Sequence, residues 1–391
     1  MLKQIEGSHA VAEVVAKCRP NVISAYPITP QTHIVEDLAS IVGNGELDAE
    51  YVNVESEFSA ASVVLGASAA GARAYSATTS QGLLLMSEVI YCIAGMRLPI
   101  VFTIANRAIS APLSIWNDQQ DSMALRDSGW IQLHAEDNQE AADLHIQAFK
   151  IAEETHLPVM VCMDGFILTH AFEPVDVPDQ KQVDSFLPPF QPTNIVDPRW
   201  PRGIGLFADP RFYLETRYIL HRAMEKSEKT IKKVSQDFAK TFGRDSGGFI
   251  KTYKLKKADV VIISMGSLVG TIKDLIDQLE DEGKKVGLLQ ICSYRPFPRK
   301  EVYNTLKNKM NIVVVEKSIS LGRGGILASD VRWSFPRHEK KDRNISSFIA
   351  GLGGRNITKN DLRHMVEKVE KEPVELEFLG LKKELIAKKD L

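Results

Sequence analysis

The order of apolar and polar residues predicts alternating strands and helices over the first 166 residues. Short apolar runs typical of strands lie at residues 22–25, 51–54, 73–77, 99–105 and 158–163, and the last two are apolar enough to be covered on both faces. The segments between them are predicted helices, at residues 8–18, 33–42, 57–71, 83–96 and 138–151. Strands that alternate with helices indicate an α/β fold with a parallel sheet.

The pattern changes twice after residue 166. Eight prolines between residues 173 and 210 predict an extended segment that wraps the first domain and contains neither a regular helix nor an inner strand. Residues 212–242 then read as an amphipathic helix, with Tyr213, Leu220, Met224, Ile231 and Val234 as candidate buried positions. Further strands are predicted at 259–264, 286–291, 312–315 and 348–350. We therefore predict two domains, 1–245 and 246–391, the second ending in a charged surface tail.

Composition narrows the class of protein. A net charge of -2 over 391 residues gives no electrostatic reason to expect binding to nucleic acid or to an anionic membrane. The sequence has no apolar run long enough for a bilayer and no apolar core of a secretion signal at its start, so a cytoplasmic protein is expected.

The four cysteines have no spacing that suggests a shared metal or cluster. Cys18, Cys92, Cys162 and Cys292 are far apart in sequence, and each lies among or beside apolar residues. We expect buried structural thiols and no iron–sulfur cluster carried by this chain.

Candidate chemistry lies at the ends of three predicted strands. Thr29 lies in a loop held by Pro27 and Pro30, each of which fixes its own φ. Glu57 precedes a run of very small side chains, and Arg107 follows an apolar strand. Because open α/β sheets bind ligands at the carboxyl ends of their strands, these residues suggest a site for a small anion beside a polar heterocycle.

Each of these features also has a purely structural explanation. The small residues after Glu57 can serve close helix packing, and the turn at residues 78–82 can be ordinary helix capping instead of a ligand site. Arg107 can pair with Asp118 or Asp121 and only shape its loop. The glycine-rich stretches 322–325 and 351–354 do not complete a dinucleotide fingerprint and predict tight turns.

Taken together, the motifs resemble the alpha subunit of the 2-oxoacid:ferredoxin oxidoreductases, and most closely the pyruvate member of that family. The stretches that carry the resemblance are Tyr26–Thr32, Val54–Glu57, Thr79–Gly82, Ala105–Ala108, Trp116–Asp121, Met163–Phe166 and Arg295–Pro298. The resemblance covers most of the chain and is specific as a set. It implies a pyrimidine-type domain of a thiamine-diphosphate enzyme, with a parallel sheet, followed by a transketolase-C-terminal-like α/β domain.

The resemblance also implies roles for individual residues. Glu57 matches the glutamate that contacts the pyrimidine nitrogen of thiamine diphosphate, and Thr29 and Arg107 match the residues that hold the substrate carboxylate. Pro30, Ser80 and Gln81 complete the expected cofactor contacts. No metal ligand is expected in this chain, because it lacks the Gly-Asp-Gly and Asn pattern that holds the diphosphate and Mg²⁺.

The resemblance implies that this chain is the alpha subunit of a multi-subunit pyruvate:ferredoxin oxidoreductase. Beta, gamma and delta subunits are the expected partners, together with ferredoxin, pyruvate and coenzyme A, and Mg²⁺ and iron–sulfur clusters are expected on the partner subunits. The alternatives are the same chemistry on 2-oxoisovalerate, 2-oxoglutarate or oxalate, and a non-catalytic nucleotide-binding α/β protein.

Overall fold

The chain forms two main β-sheets with helices packed against them. The computed structural model describes residues 2–193, 195–336 and 343–390, so Asn194 of the predicted wrapping segment and the terminal residues Met1 and Leu391 of the predicted domains lie outside the described residues. The predicted α/β class is confirmed, because adjacent strands within each main sheet are predominantly parallel and are joined through helices.

The first sheet contains seven strands within the described ranges. Across the sheet they are β12 (Ser293–Arg295), β6 (Ile131–His134), β7 (Val159–Asp164), β5 (Val101–Asn106), β4 (Ala74–Thr78), β2 (Val22–Ala25) and β3 (Glu50–Asn53). Only β12 runs antiparallel to its neighbour, β6. Every residue of β4, β5 and β7 is buried, as expected for central strands covered on both faces.

Helices surround this sheet and largely follow the predicted positions. They are α1 (Gly7–Lys17), α2 (Thr32–Gly43), α3 (Glu57–Ala69), α4 (Ser80–Leu85), α5 (Ser87–Met96), α6 (Gln120–Ala124) and α7 (Asn138–Thr155). The small side chains of α3 allow this helix to lie against β2 and β4. The single helix predicted over 83–96 is instead two helices, α4 and α5, interrupted at Met86.

The segment predicted to be extended is more regular than its prolines suggested. β1 (Leu2–Glu6) pairs with β8 (Phe172–Asp176) as a separate antiparallel ribbon, and helix α8 (Gln180–Phe186) follows. The prediction of no helix here is wrong, since Asp179 and Gln182 form a complete capping box at the start of α8. Helix α9 (Tyr213–Phe242) is confirmed, but Tyr213 is exposed and not buried as predicted.

The second sheet has six strands in the described part of the chain. In spatial order they are β15 (Glu377–Phe378), β14 (Asn344–Ile349), β13 (Asn311–Glu316), β10 (Val260–Ser264), β11 (Val286–Ile291) and β9 (Ile250–Tyr253). The accompanying helices are α10 (Leu268–Asp281), α11 (Arg299–Leu306), α12 (Ile326–Ser334) and α13 (Lys359–Val369), with short 3-10 turns at Leu352–Gly354, Lys383–Leu385 and Lys388–Asp390. The charged tail contributes β15 to the edge of this sheet.

Strand β12 connects the two halves of the chain. It follows β11 of the second sheet directly, yet it pairs with β6 at the edge of the first sheet. The backbone N–H of His134 also donates to the carbonyl of Cys292, at 2.7 Å. The boundary between residues 245 and 246 stays a prediction, and β12 shows that the chain beyond it returns to the first sheet.

Candidate active site at the carboxyl edge of the first sheet

Five neighbouring parallel strands of the first sheet end at the same edge. These are β3, β2, β4, β5 and β7, in that spatial order. At or just beyond these strand ends lie Thr29, Glu57, Ser80, Arg107 and Asp164. This edge is where open α/β sheets bind ligands, so the strand order by itself gathers the residues singled out in the sequence.

Arg107 is held by two backbone carbonyl groups. Its Nη1 donates to the carbonyl of Thr29 at 2.8 Å, and its Nε donates to the carbonyl of Ser114 at 3.0 Å. The residue is 6% exposed; burial lowers the pKa of its guanidinium, and the charge of Asp121 opposes this shift. Within the described ranges Nη2 has no hydrogen-bond partner. The guanidinium is thus fixed with one donor nitrogen left for a ligand, and it bonds neither Asp118 nor Asp121.

Asp121 organises the backbone around Arg107, and the sequence did not reveal this role. Its carboxylate accepts from the backbone N–H groups of Ser80 (2.9 Å), Arg107 (3.0 Å) and Ser122 (2.8 Å), and from the side chain of Asn106 (2.7 Å). Burial raises the pKa of Asp121 to about 7, although all four donors favour the ionised form. Asp121 therefore ties the ends of β4 and β5 together.

Ser80 and Gln81 occupy the turn after β4. Ser80 has φ +46°, a left-handed conformation that is uncommon outside glycine, and its N–H points at Asp121. Its hydroxyl lies within hydrogen-bond distance of the Ala108 carbonyl and of Gln81 Oε1. Thr79 makes no side-chain cap at the start of α4, because its hydroxyl donates to the carbonyl of Ala105.

Glu57 begins helix α3 in a buried position. It is 7% exposed, and its carboxylate has no hydrogen-bond partner among the residues that the structure describes. A Cβ added at Gly82 would lie 2.7 Å from Glu57 Oε1, so the close approach of α4 to this carboxylate requires glycine. A buried carboxylate without a protein donor fits a site whose ligand supplies the hydrogen-bonding group, as a pyrimidine nitrogen would.

Thr29 and Pro30 lie beside Arg107. The Thr29 side chain is exposed, and its hydroxyl has no hydrogen-bond partner within the described ranges. Pro30 is buried, and a Cβ on Gly165 would come within 2.5 Å of its ring and 2.7 Å of the Asn106 carbonyl. The glycine of the Met-Asp-Gly sequence therefore lets the Thr29 loop pack directly over the end of β5.

Lys317 is a second residue that the sequence did not single out. Its Nζ lies 2.7 Å from Asp164 and 2.7 Å from the side-chain oxygen of Asn117. Lys317 and Asp164 are 4% and 1% exposed. Burial opposes ionisation of Asp164, but the charge and hydrogen bond of Lys317 outweigh it and bring the pKa of Asp164 down to about 2. This ion pair connects the end of β13 to the end of β7, beside the candidate site.

Three of the four cysteines are buried and one is exposed. Cys18, Cys162 and Cys292 are buried as predicted, and burial raises the pKa of the Cys18 thiol to about 12. Cys92 is exposed, so its prediction as a core thiol is wrong. Among the residues described, no helix combines the length and the apolar character that a membrane crossing needs.

Two family models and several curated relatives match most of this chain. The family model "Pyruvate flavodoxin/ferredoxin oxidoreductase, thiamine diP-bdg" matches residues 13–236, and "Pyruvate:ferredoxin oxidoreductase core domain II" matches residues 258–362. The pyruvate synthase subunit PorA of Methanosarcina barkeri is 48% identical, and the match covers 98% of this chain and 97% of that protein. PorA of Methanocaldococcus jannaschii is 50% identical, with 95% of each chain covered.

The solved structures support the same fold. A 2-oxoglutarate:ferredoxin oxidoreductase from Magnetococcus marinus superposes with a TM-score of 0.72 at 21% identity, over 94% of this chain and 65% of that one. A split-gene transketolase gives a TM-score of 0.57 at 14% identity, over 94% and 98% of the two chains. These likenesses agree with the predicted α/β fold.

The relatives and family models leave no support for a non-catalytic nucleotide-binding protein. They match the chain along nearly its whole length, and the first model describes a thiamine-diphosphate-binding domain. The chain belongs to the 2-oxoacid:ferredoxin oxidoreductase family, as an enzyme subunit of the pyruvate synthase type.

Proposed function

We propose that this chain is the alpha subunit of a complex that interconverts pyruvate and acetyl-CoA. In the oxidative direction, pyruvate and coenzyme A give acetyl-CoA and carbon dioxide, and two electrons pass to ferredoxin. The observation that carries this proposal is the guanidinium of Arg107, fixed beside Thr29 with Nη2 free at the edge where Glu57 also lies. Relatives called pyruvate synthase subunit, 44–50% identical, support the choice of pyruvate.

Arg107 and Thr29 would hold the substrate carboxylate. A guanidinium forms strong charge-assisted bonds with a carboxylate, and the two backbone bonds to Arg107 remove the need to order it on binding. The free hydroxyl of Thr29 would add a second donor. Fixing the acid in one orientation is a major part of the rate enhancement expected of such a site.

Glu57 would act on the pyrimidine of thiamine diphosphate, with Pro30, Ser80 and Gln81 lining the cofactor site. Its buried carboxyl would hydrogen-bond the pyrimidine nitrogen and hold a proton at that atom, which would favour loss of the proton on the thiazolium carbon. Thiamine diphosphate, when bound, supplies the electron sink for decarboxylation.

Partner subunits would supply what the sequence lacks. Its cysteines have no cluster spacing and it has no diphosphate motif, so we assign Mg²⁺, the diphosphate contacts and the iron–sulfur clusters to beta, gamma and delta subunits. We also propose a cytoplasmic location, which the absence of a membrane-spanning helix in the described part of the chain permits.

A branched 2-oxoacid is the second candidate substrate. The ketoisovalerate oxidoreductase subunit VorA of Pyrococcus abyssi is 42% identical, with 94% of this chain covered. Rates of the assembled enzyme with pyruvate, 2-oxoisovalerate and 2-oxoglutarate would decide between them. We expect the highest kcat/KM for pyruvate, and a higher value for 2-oxoisovalerate would contradict the assignment.

The role of Glu57 can be tested by the substitution Glu57→Gln in the assembled enzyme. Because glutamine cannot hold the same proton, exchange of the thiazolium C–H for deuterium should slow on the order of a hundredfold or more. Bound cofactor and subunit composition should match the wild type. Glu55→Gln, at an exposed neighbouring glutamate, is the matched control and should leave exchange unchanged. An unchanged rate in Glu57→Gln would remove Glu57 from this role.

A further inference from the structure

Two histidines and one glutamate that have no role in the proposed catalysis converge near the start of α2. Glu6 ends β1, His33 lies in the first turn of α2, and His170 lies between β7 and β8. One potential ligand atom from each side chain lies within 4.8 Å of the other two. We call these three residues the Glu6 cluster. Its members come from three separate segments, so it exists only in the folded chain.

The carboxylate of Glu6 is buried and has no lysine or arginine partner among the residues that the structure describes. Glu6 is 7% exposed, precedes α1, and makes no side-chain bond to the start of that helix. Its Oε1 lies 2.6 Å from Nδ1 of His33, and its Oε2 lies 3.6 Å from Nε2 of His9. Within the described ranges its only charged or polar side-chain neighbours at these distances are imidazoles. A buried carboxylate surrounded by imidazole nitrogens is a donor set that suits a divalent transition metal.

His170 is oriented by a neighbour that leaves one ring nitrogen for coordination. Its Nδ1 lies 2.7 Å from the hydroxyl of Thr169, and that hydroxyl accepts from the backbone N–H of Phe166 at 2.8 Å. Metal-binding histidines are commonly fixed in this way through their second nitrogen. The ring of His170 is 4.9 Å from that of His33, centroid to centroid, and tilted by 33°.

We propose that Glu6, His33 and His170 bind one divalent metal ion, with zinc as the best match to two imidazoles and one carboxylate. Ligand atoms around tetrahedral zinc are about 3.3 Å apart, given zinc–ligand bonds of about 2.0–2.1 Å. The cluster must therefore contract by about an ångström or more. His33 can make this movement because its side chain is 42% exposed. A water molecule would complete the coordination.

The ion would tie together segments on which the catalytic loop depends. Helix α2 follows directly on the loop that contains Thr29, and His170 follows the turn whose Gly165 supports Pro30. Metal binding would thus fix the ribbon of β1 and β8, the start of α2 and the turn after β7 as one unit. This role is structural, and the proposal does not depend on which 2-oxoacid the enzyme uses.

The test uses the full-length chain, freed of metal with a chelator and then titrated with Zn²⁺ by calorimetry and with Co²⁺ by visible absorption. We expect one ion per chain, a rise in melting temperature on adding Zn²⁺, and a Co²⁺ spectrum without a thiolate charge-transfer band. That last feature excludes the exposed Cys92 as a ligand.

Single substitutions distinguish this site from other histidines. His33→Gln and His170→Gln should each weaken Zn²⁺ binding at least tenfold and abolish the metal-dependent rise in melting temperature. His221→Gln, at an exposed histidine on α9, should bind like the wild type. Melting curves recorded without metal show whether each variant is folded. If one histidine variant is unfolded, the same Zn²⁺ titration is made with Glu6→Gln. Absence of saturable binding, or equal affinity in wild type and both histidine variants, would overturn the proposal.

Discussion

At the scale of single residues, the geometry around Arg107 excludes the proposed pairing of its guanidinium with Asp118 or Asp121. The guanidinium bonds two backbone carbonyls and neither nearby aspartate, so it is positioned but not neutralised. Nη2 has no partner among the described residues, so it is the donor that a bound anion would use. The two carbonyl contacts do not by themselves separate this role from a structural one, since Arg97 also bonds two backbone carbonyls, those of His156 and Thr155.

We predict that Arg107→Ala lowers kcat/KM for pyruvate by ~10- to 150-fold, since a hydrogen bond to a charged group contributes roughly 1.5–3 kcal/mol. Arg107→Lys should recover only part of this, because an ammonium group lacks the planar fork of donors. Binding of pyruvamide, which has no carboxylate, is the matched comparison. Equal losses for pyruvate and pyruvamide would show that Arg107 organises its loop and does not hold the carboxylate.

Asp121 acts one step further from the substrate. Asp121→Asn replaces an acceptor oxygen with an NH₂ group that faces N–H donors, so at least one of the bonds to Ser80, Arg107 or Ser122 must break. We expect KM for pyruvate to rise more than kcat falls, because Arg107 is displaced. Asp127→Asn, just after helix α6 and exposed at 65% of its side chain, should leave both constants nearly unchanged. If Asp121→Asn lowers the free energy of unfolding but leaves KM and kcat unchanged, Asp121 has only a structural role.

At the scale of elements, helix α7 is buried on more of its surface than its apolar periodicity predicted. Its sequence predicted one apolar face, but Asp143, His145 and Gln147 are also buried, because α1, α9, β7 and β8 pack around it. These polar side chains all have partners. His145, for example, lies between the hydroxyl of Thr103 at 2.5 Å and the carbonyl of Ala141 at 2.7 Å.

This burial gives a prediction about acid stability. Burial lowers the pKa of His145 to about 4, against an ordinary value near 6.5, while its bond to Ala141 opposes the shift. Between these values the unfolded chain binds more protons than the folded chain, so stability due to His145 is present above about pH 6.5 and falls as pH drops toward 4. His145→Gln should lose less unfolding free energy between pH 7.5 and 5 than the wild type, measured by urea titration. A parallel loss in both proteins would contradict this, and His221→Gln is the exposed control.

At the scale of the whole molecule, the two sheets are joined by buried polar contacts close to the site. Lys317 meets Asp164 and Asn117, and its carbonyl accepts from the N–H of Gln119 at 2.8 Å. The backbone N–H of Gly353 donates to Asp118 at 3.0 Å. Residues of the second sheet and its loops therefore hold the segment after Arg107 in place.

We predict that Lys317→Met destabilises the chain by about 3–5 kcal/mol, because it leaves Asp164 charged and buried without its cation. The double variant Lys317→Met, Asp164→Asn should recover part of this loss, and denaturant unfolding of the four proteins forms a double-mutant cycle. Lys233→Met removes only an exposed pair with Asp237 and should change stability little. Additive effects of the two buried substitutions would contradict the coupling.

The sequence by itself determined most local elements and which polar residues follow the strand ends. Apolar periodicity is a local property, and it located most helices and the central strands. The parallel α/β order was sufficient to gather Thr29, Glu57 and Arg107 at one edge. Beyond this, the resemblance of short motifs identified the family before any contact was known.

Only the tertiary structure decided the features that depend on residues far apart in the chain. Lys317 and Asp164 are 153 residues apart, β12 pairs with a strand more than 150 positions earlier, and the Glu6 cluster joins three separate segments. No periodicity in a single segment encodes such contacts. The short strand β6 was not predicted, because glutamine and histidine at alternate positions interrupt its apolar residues. Tertiary packing nevertheless buries both polar side chains.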